Sequence, residues 1–417
     1  MPGECDVAVI GAGAAGLSAG RALREAGASF VVLEASSRTG GRAFTDTTTF
    51  GQPWDLGCHW LHSADVNPFV AIADQLGFTY RKDYTRLVRN LWRGGRWAAA
   101  EEADAAYAAV NRGFDEVEAA GADGRDVAAS EVLSDAGQWN ALVRHWLALM
   151  TASSPQHVST KDFAAYAGTE YNWPVLDGYG ALVRAYGADV PVTLDCPVSR
   201  IDWSGPRLRL VTPKGDVSAC AVIVTVSTAV IADGRLAFTP ALPADLGEAF
   251  SSLTLGVAEK VAIGFDRDVF GYSERTGVSV YEASRTPVNF QILPGPRPVA
   301  VGHTAGDAAK AMLEEGDEAM ADVVLSALTD AFGADIRQHV TAVRATNWAG
   351  DPFIGGGYSC ALPGKAHVRA RLLEPLANRI FFAGEAVSAH DFSTCHGAHL
   401  SGLAAARRSL ALLDQAA

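Results

Sequence analysis

Residues 7–16 read VAVIGAGAAG, an apolar run followed directly by three glycines. The run predicts a buried parallel strand. The glycines, Gly11, Gly13 and Gly16, stand at GxGxxG spacing. This spacing permits a tight turn, a close approach of the backbone to a pyrophosphate and close packing of the next helix on the strand. The stretch therefore predicts the opening strand, turn and helix of an α/β domain that binds a dinucleotide.

The elements after the glycine turn fit the same type of domain. A helix is predicted over Gly16–Ala26, and the apolar run Phe30–Leu33 predicts a second strand. Glu34 comes directly after this strand, where an acidic side chain accepts hydrogen bonds from a ribose hydroxyl. An acid at this position favours a ribose 2′-hydroxyl over a 2′-phosphate.

Two further segments distinguish the dinucleotide. Residues 38–42 read RTGGR, which offers backbone amides and two planar arginine side chains to phosphate oxygens. Residues 381–385 read FFAGE near the other end of the chain and are interpreted as the second half of the same site. Together they indicate FAD rather than NAD, and they disfavour an NAD-dependent dehydrogenase.

With these motifs the chain resembles the flavin-containing amine oxidase family, which includes monoamine oxidases, polyamine oxidases and lysine-specific histone demethylases. The resemblance extends over almost the whole chain and is closest to bacterial polyamine-oxidase-like members. It implies an α/β fold in which a Rossmann-type FAD-binding domain is interleaved with an α+β substrate domain. We predict the FAD-binding domain over 1–65, 181–250 and 375–417, and the substrate-binding domain over 66–180 and 251–374.

Two local elements follow from the sequence between these motifs. Asn67 and Pro68 predict the N-cap and first turn of a helix that ends at Gly77, which we assign to the opening of the substrate domain. Cys196–Ile201 is predicted to be a short strand. In the family, the backbone at the position of Val198 contacts the adenine.

The motifs and the resemblance together predict the residues of the FAD site. In the family, monoamine oxidases carry a cysteine at the position of Gly357 that bonds covalently to the flavin, so the glycine predicts a non-covalent FAD. The predicted cofactor-binding residues are Gly11, Gly13, Ala14, Ala15, Gly16, Glu34, Ala35, Arg38, Gly40, Gly41, Arg42, Gly57, Cys58, His59, Val198, Trp348, Gly384, Glu385, Thr394, Cys395 and Ala398.

Lys260 is the predicted catalytic residue. The segment Leu253–Phe265 matches the family segment whose lysine holds a water near the flavin N5. Lys260 precedes a strongly apolar run, and a buried lysine must find a partner or lose its charge. The alternative is a lysine that protects a strand edge against aggregation.

The substrate pocket is predicted from the same resemblance. Tyr358 matches the first tyrosine of the family's aromatic cage, while Thr394 stands at the second position, as in the histone demethylases. Because half of the cage is missing, a wider or more polar pocket is expected. The predicted pocket residues are His59, His62, Trp348, Tyr358, Thr394 and Glu170.

Three of these pocket residues have an alternative interpretation. His59 and His62 lie in a segment that looks like the corresponding strand end of polyamine oxidases, which implies that either histidine could contact a substrate nitrogen. Histidines in such a strand are also often structural residues with satisfied hydrogen bonds. Glu170 is a candidate anchor for a distal ammonium group, and it is equally typical of a solvated loop.

The resemblance implies the oxidation of an amine by FAD. A hydride from the carbon next to the nitrogen passes to the flavin N5, the imine hydrolyses, and dioxygen reoxidises the flavin and yields hydrogen peroxide. A polyamine-like or other aliphatic amine is favoured. The alternatives are a flavin oxidase of an amino acid, an alkaloid or a biosynthetic amine intermediate, and a non-catalytic flavoprotein scaffold.

Composition agrees with this class of enzyme. The 417 residues are 49% hydrophobic and carry a formal net charge of −13, which disfavours nucleic acid and anionic membranes as partners and favours a cationic small molecule. The six cysteines contain no CxxC pair, so no metal site is predicted. The early first strand and the absence of a long apolar run predict a cytoplasmic protein without a membrane anchor. The expected partners are a small amine and dioxygen, and a homodimer is left open.

Overall fold

The computed structural model describes residues 3–82, 90–282 and 285–416. The predicted domain ranges also include a few residues that lie outside these described ranges. The described strands are β1 (Glu4–Ile10), β2 (Phe30–Leu33), β3 (Thr45–Asp46), β4 (Trp54–Asp55), β5 (Trp60–Leu61), β6 (Leu91–Arg93), β7 (Arg96–Trp97), β8 (Trp173–Pro174), β9 (Val192–Thr193), β10 (Arg200–Asp202), β11 (Leu208–Val211), β12 (Val217–Val224), β13 (Ala237–Thr239), β14 (Leu253–Leu255), β15 (Ala258–Phe265), β16 (Thr276–Val280), β17 (Val288–Leu293), β18 (Val299–Ala305), β19 (Val340–Ala345), β20 (Ser359–Ala361) and β21 (Ile380–Phe382). The α-helices are α1 (Ala14–Glu25), α2 (Pro68–Leu76), α3 (Ala100–Ala122), α4 (Asn140–Thr151), α5 (Thr160–Ala165), α6 (Tyr179–Tyr186), α7 (Thr228–Ala232), α8 (Ala244–Ser252), α9 (Gly306–Glu314), α10 (Asp317–Phe332), α11 (Val368–Leu372) and α12 (Cys395–Ala416).

The first sheet is built around parallel strands. β1 lies between β2 and β12, β9 pairs with the outer side of β2, and β21 pairs with β12, all in parallel. β10, β11 and β13 extend the sheet beyond β12. Core clusters cover both faces of the sheet, which is possible because β1 and β12 carry apolar side chains on both sides. Because β1, β2, β9, β12 and β21 run parallel, their carboxyl ends meet at one edge of the sheet. This is the edge at which α/β sheets bind ligands.

The predicted elements of this sheet are largely present. β2 has the predicted bounds, and β1 contains the predicted apolar run. Helix α1 begins at Ala14, two residues before the predicted start at Gly16. The strand predicted over Cys196–Ile201 is wrong in its first part, since β10 begins only at Arg200. Pro197 has no N–H with which to join a ladder, so the chain crosses as a loop before the strand begins.

The second sheet is mainly antiparallel and runs β19-β15-β18-β17-β16-β6-β7. Along β15 the side chains alternate between two environments. Val261 and Ile263 belong to an apolar cluster that includes Val324 and Leu328 of α10. Lys260 projects from the other face and lines the cavity described below. One face of this sheet is therefore core. On the other face Ala262 and Val301 pack with Trp54 in a smaller apolar cluster, and the part that carries Lys260 forms a wall of the site.

Helix α2 has the predicted start and end. Asn67 accepts a hydrogen bond from the backbone N–H of Phe69 as the N-cap, and Gly77 ends the helix in the left-handed conformation. The ring of Phe69 packs against Tyr179 of α6 and against His399 of α12, with centroids 5.3 and 5.0 Å away. The helix thus packs beside the first sheet, although the predicted ranges place it in the substrate-binding domain. The domain bounds themselves remain a prediction.

Candidate functional site

A cavity of about 1310 Å³ follows the carboxyl edge of the first sheet and reaches the wall formed by the second sheet. Gly13 and Glu34 line it at the first sheet, and Lys260 and His303 line it at the second. Pockets for one small ligand are typically about 300–1,000 Å³. The larger volume is suited to a dinucleotide together with a small substrate.

The glycine turn brings the N-terminus of α1 to this cavity. Gly11 has a φ of +100°, and a Cβ atom there would lie 2.5 Å from Oγ1 of Thr225. A Cβ atom at Gly16 would lie 1.9 Å from the carbonyl oxygen of Gly11, so only glycine allows the helix to start so close to the strand. The free N–H groups and positive dipole end of α1 can therefore reach a pyrophosphate.

Glu34 is held in place at the end of β2. Its Oε2 accepts a hydrogen bond from the Ala12 N–H at 2.6 Å, and its Oε1 accepts from the N–H and hydroxyl of Ser36 at 2.9 and 2.8 Å. A carboxylate has about four acceptor sites. Acceptor capacity therefore remains for ribose hydroxyl groups.

Arg42 and Glu385 join the two distant flavin motifs. Nη1 of Arg42 donates to Oε1 of Glu385 at 3.0 Å and to the carbonyl oxygen of Gly357. The other carboxylate oxygen of Glu385 accepts from the Ser359 hydroxyl at 2.7 Å and from the Ser393 N–H at 3.1 Å. Both side chains line the cavity while they brace its walls against each other.

Lys260 is held by three acceptors at the opposite wall. Its Nζ lies 2.9 Å from the carbonyl oxygen of Asp55, 2.5 Å from that of Gly57 and 3.0 Å from Nδ1 of His59. Burial lowers the pKa of Lys260 to about 8, although the negative charge of Asp55 opposes this shift. The lysine is thus mainly charged at neutral pH and titrates close to it.

The histidines next to Lys260 are neutral. Burial first, and then the charge of Lys260, lowers the pKa of His59 and lowers that of His303 to about 3. The rings of His59 and His303 lie 5.7 Å apart. A neutral imidazole both donates and accepts hydrogen bonds, so this wall is polar with little charge apart from the lysine.

The remaining predicted pocket residues have defined partners. Tyr358 donates its hydroxyl hydrogen to the carbonyl oxygen of Leu149, and burial raises its pKa. Trp348 donates from Nε1 to the carbonyl oxygen of Leu56 at 3.2 Å. Thr394 accepts from the N–H of Gly397 at 2.9 Å, an N-cap interaction at the start of α12. These contacts fix the orientation of the side chains around the cavity.

The chain is similar to known proteins over most of its length. The family model described as flavin containing amine oxidoreductase matches residues 14–129 and 129–410. The chain belongs to this family. Polyamine oxidase 4 of Oryza sativa subsp. japonica is 29% identical over 96% of this chain and 87% of that protein. Lysine-specific histone demethylase 2 of Homo sapiens is 26% identical over 95% of this chain and 52% of that protein.

Solved structures of amine oxidases share the fold. Wild-type putrescine oxidase bound to putrescine aligns with a TM-score of 0.79 at 21% identity, over 98% of this chain and 99% of that chain. Cyclohexylamine oxidase from Brevibacterium oxydans IH-35A aligns with a TM-score of 0.79 at 20% identity. The predicted family, the α/β two-domain flavoprotein fold and the amine oxidase enzyme class are confirmed.

The structure brings most of the predicted site residues of this amine oxidase to one cavity. Lys260 lines it, and so do all the predicted cofactor residues except Gly16, which packs α1 against the glycine turn instead. Five of the six predicted pocket residues also line it: His59, His62, Trp348, Tyr358 and Thr394. Glu170 does not, because it is exposed on the loop between α5 and β8.

Sequence reasoning missed the polar side chains that β17 and β18 contribute to the cavity. Asn289, Gln291 and His303 line it next to Lys260. A signal was present, because Asn289 and Gln291 stand at alternate positions of an otherwise apolar strand. Within the described ranges, no helix is long and apolar enough to cross a membrane. The cytoplasmic location remains a prediction.

Proposed function

We propose that the protein is an FAD-dependent oxidase that oxidises an aliphatic amine at the carbon next to its nitrogen. One arrangement chiefly supports this function: the cavity joins a dinucleotide-type glycine turn to a half-buried Lys260 at a polar wall. The lining fits FAD, since the α1 N-terminus faces the pyrophosphate position and Glu34 keeps free acceptor sites. FAD, when bound, supplies the acceptor for the hydride, which carries both electrons of the oxidation.

The proposed mode of binding is non-covalent. Gly357 offers no side chain to bond with a flavin, and the cavity surface there is the backbone of the loop before β20. The buried thiol of Cys360 is a poor nucleophile, because burial raises its pKa. A flavin that can be extracted from the denatured protein is therefore expected.

The wall residues prepare the amine for oxidation. Below pH 8, the charge of Lys260 disfavours a protonated amine beside it, so the substrate binds as the free amine with its lone pair available. Glu259, the neighbouring carboxylate, instead accepts hydrogen bonds from Thr346 and from the N–H of Ala349. The wall thus holds and orients the amine and excludes water from it.

The names of the relatives support an aliphatic amine as the substrate and dioxygen as the electron acceptor. Their names include polyamine oxidases, putrescine oxidase and cyclohexylamine oxidase, all named for aliphatic amines. We therefore include polyamine-like and other aliphatic amines among the proposed substrates. The imine product then hydrolyses, and dioxygen is reduced to hydrogen peroxide as the flavin is reoxidised. An amino acid oxidase has less support: the described arginines that line the cavity are engaged near the predicted cofactor, as with Arg42 on Glu385 and Arg235 on Asp233.

A visible spectrum of the purified yellow protein tests this function. Aliphatic amines, an aryl alkylamine and several amino acids are added without oxygen, and air is admitted afterwards. Bleaching of the flavin band by aliphatic amines, with peroxide formed on aeration, is the expected result. A flavin that no amine bleaches would overturn the proposal and favour a scaffold role.

A further inference from the structure

Three polar side chains beside Lys260, those of His303, Asn289 and Gln291, have no part in the function proposed so far. Lys260 on β15 pairs with His303 on β18, and His303 pairs with Asn289 on β17. Directly opposed residues project from the same face of a sheet, and so does Gln291, two residues after Asn289. All four side chains line the cavity. We call Lys260, His303, Asn289 and Gln291 the polar row.

Two acceptors of the polar row lack partners. Asn289 is 7% exposed, and its Oδ1 makes no hydrogen bond of ordinary geometry within the described ranges, although the ring of His145 lies near enough for the Asn289 side chain to oppose the lowering of that histidine's pKa by burial. Nδ1 of His303 lies 3.2 Å from the backbone oxygen of Asn289, and because a carbonyl oxygen only accepts, Nδ1 carries the ring hydrogen. Nε2 of His303 is then an acceptor, and it is likewise unpaired within the described ranges. Buried acceptors of this kind are normally satisfied, so the row has acceptor capacity for a donor on a ligand.

The charged groups that act on Lys260 are Asp55 and Arg275, and the Asp55 carboxylate is already hydrogen-bonded to Thr45 and to the N–H groups of Tyr179 and Gly180. Arg275 lies close enough to lower the pKa of both Lys260 and His59. Glu259 is adjacent to Lys260 in sequence, but it projects from the opposite face of β15 and is buried with its own partners. A second ammonium group at the row would thus be buried beside two cations, while the nearby carboxylates of Asp55 and Glu259 are already engaged by their own partners, which is unfavourable. A neutral group carries no such cost.

We propose that the polar row recognises a neutral hydrogen-bonding group on the substrate, a hydroxyl or an amide, and that Asn289 determines this specificity. The inference rests on the proposed amine oxidase function and narrows its substrates. Within the aliphatic amines, it favours those with one amine and one neutral polar group over diamines and polyamines.

The test compares three amines of equal chain length: 1-aminohexane, 6-amino-1-hexanol and 1,6-diaminohexane. The measured quantity is kcat/KM from flavin reduction without oxygen at a fixed pH, for the wild-type holoenzyme and three variants. Asn289→Asp places a carboxylate in the row with almost no change in shape. Asn289→Leu removes the acceptor and keeps the volume. Gln75→Glu adds the same charge at an exposed position of α2.

The wild type is expected to prefer the amino alcohol over the diamine by about tenfold or more, since a site built for a hydrogen bond rejects unmatched groups strongly. Asn289→Asp should reverse this preference, Asn289→Leu should bring the amino alcohol down to the level of 1-aminohexane, and Gln75→Glu should change neither. A wild type that prefers the diamine, or an unchanged ratio in both Asn289 variants, would overturn the inference alone. No flavin reduction by any of the three amines would overturn the proposed function as well.

Discussion

The side chains of Lys260 and His59 meet directly, with Nζ of the lysine 3.0 Å from Nδ1 of the histidine. Two carbonyl oxygens occupy the other directions around Nζ, so an ammonium at this position has all three hydrogens engaged. His59 then accepts at Nδ1 and carries its hydrogen on Nε2. His59 also lines the cavity, and we infer that its imidazole links the lysine to a group bound there.

Replacing this lysine is expected to slow the reductive reaction. Lys260→Met removes the charge and leaves the carbonyl oxygens of Asp55 and Gly57 without their donor. We expect the rate of flavin reduction by a saturating amine to fall by about a hundredfold or more, the scale of a proton-handling group. Stopped-flow absorbance without oxygen measures this rate.

The matched control is Lys214→Met. Lys214 also donates to a carbonyl oxygen, that of Leu194, but it lies at an exposed position of the loop after β11. Its replacement should leave the rate unchanged. A Lys260→Met enzyme that binds FAD and is reduced at the wild-type rate would contradict a catalytic role for the lysine.

Glu34 is expected to contribute to FAD affinity through its fixed carboxylate. Glu34→Ala removes the acceptor for ribose hydroxyls and also leaves the Ala12 N–H without its partner. Hydrogen bonds to charged groups contribute about 1.5–3 kcal/mol, so the Kd for FAD should rise about ten- to a hundredfold. Flavin fluorescence during reconstitution of the apoprotein gives this Kd. Glu25→Ala, at the exposed end of α1, should leave it unchanged, and an equal Kd for both variants would rule out the ribose contact.

The parts of the fold that the sequence predicts depend on neighbours in the chain. The glycine turn, β2 and the capped helix at Asn67 are set by contacts within a few residues. Lys260 was singled out by its match to a family segment, but its contact with His59 joins residues 201 positions apart. Such a contact depends on how the two sheets pack against each other, and local patterns do not encode that packing.

The polar row and Glu170 illustrate the same limit. Asn289 and His303 become neighbours of Lys260 only through the register of three strands, and a shift of one residue would send their side chains to the core. Glu170 has the right charge for a substrate anchor, yet it is exposed and does not line the cavity, although Gly168 and Thr169 of the same loop do. The charge of a residue was predictable, whereas the surface that it faces was not.

The ion pair of Arg369 with Asp162 is expected to stabilise the fold around the site. The guanidinium donates to both carboxylate oxygens at 2.9 and 2.8 Å, and the two residues are 4% and 3% exposed. Arg369→Met leaves a buried carboxylate without its cation, which costs about 3–5 kcal/mol. Urea unfolding measures this loss in the free energy of unfolding.

The same short helix provides the control for the ion pair. Arg371 on α11 pairs with Asp245, which is well exposed, so Arg371→Met should leave the free energy of unfolding almost unchanged. Adding Asp162→Leu to Arg369→Met should recover part of the loss, because no unpaired charge then remains. Equal stabilities for the two arginine variants would show that burial adds nothing to the pair.

Buried histidines should make the protein less stable in acid. Burial lowers the pKa of His145 to about 4, whereas an unfolded histidine has a pKa of about 6.5. Between these values the unfolded chain binds a proton that the native chain does not, so the free energy of unfolding falls as the pH drops from 6.5 to 4, by about 1.4 kcal/mol per pH unit for this one group. His145→Leu should therefore flatten the slope measured by urea unfolding at pH 6.5, 5.5 and 4.5. His157→Leu, on the surface, serves as the control. If both variants keep the wild-type slope, His145 is not held neutral in the native state.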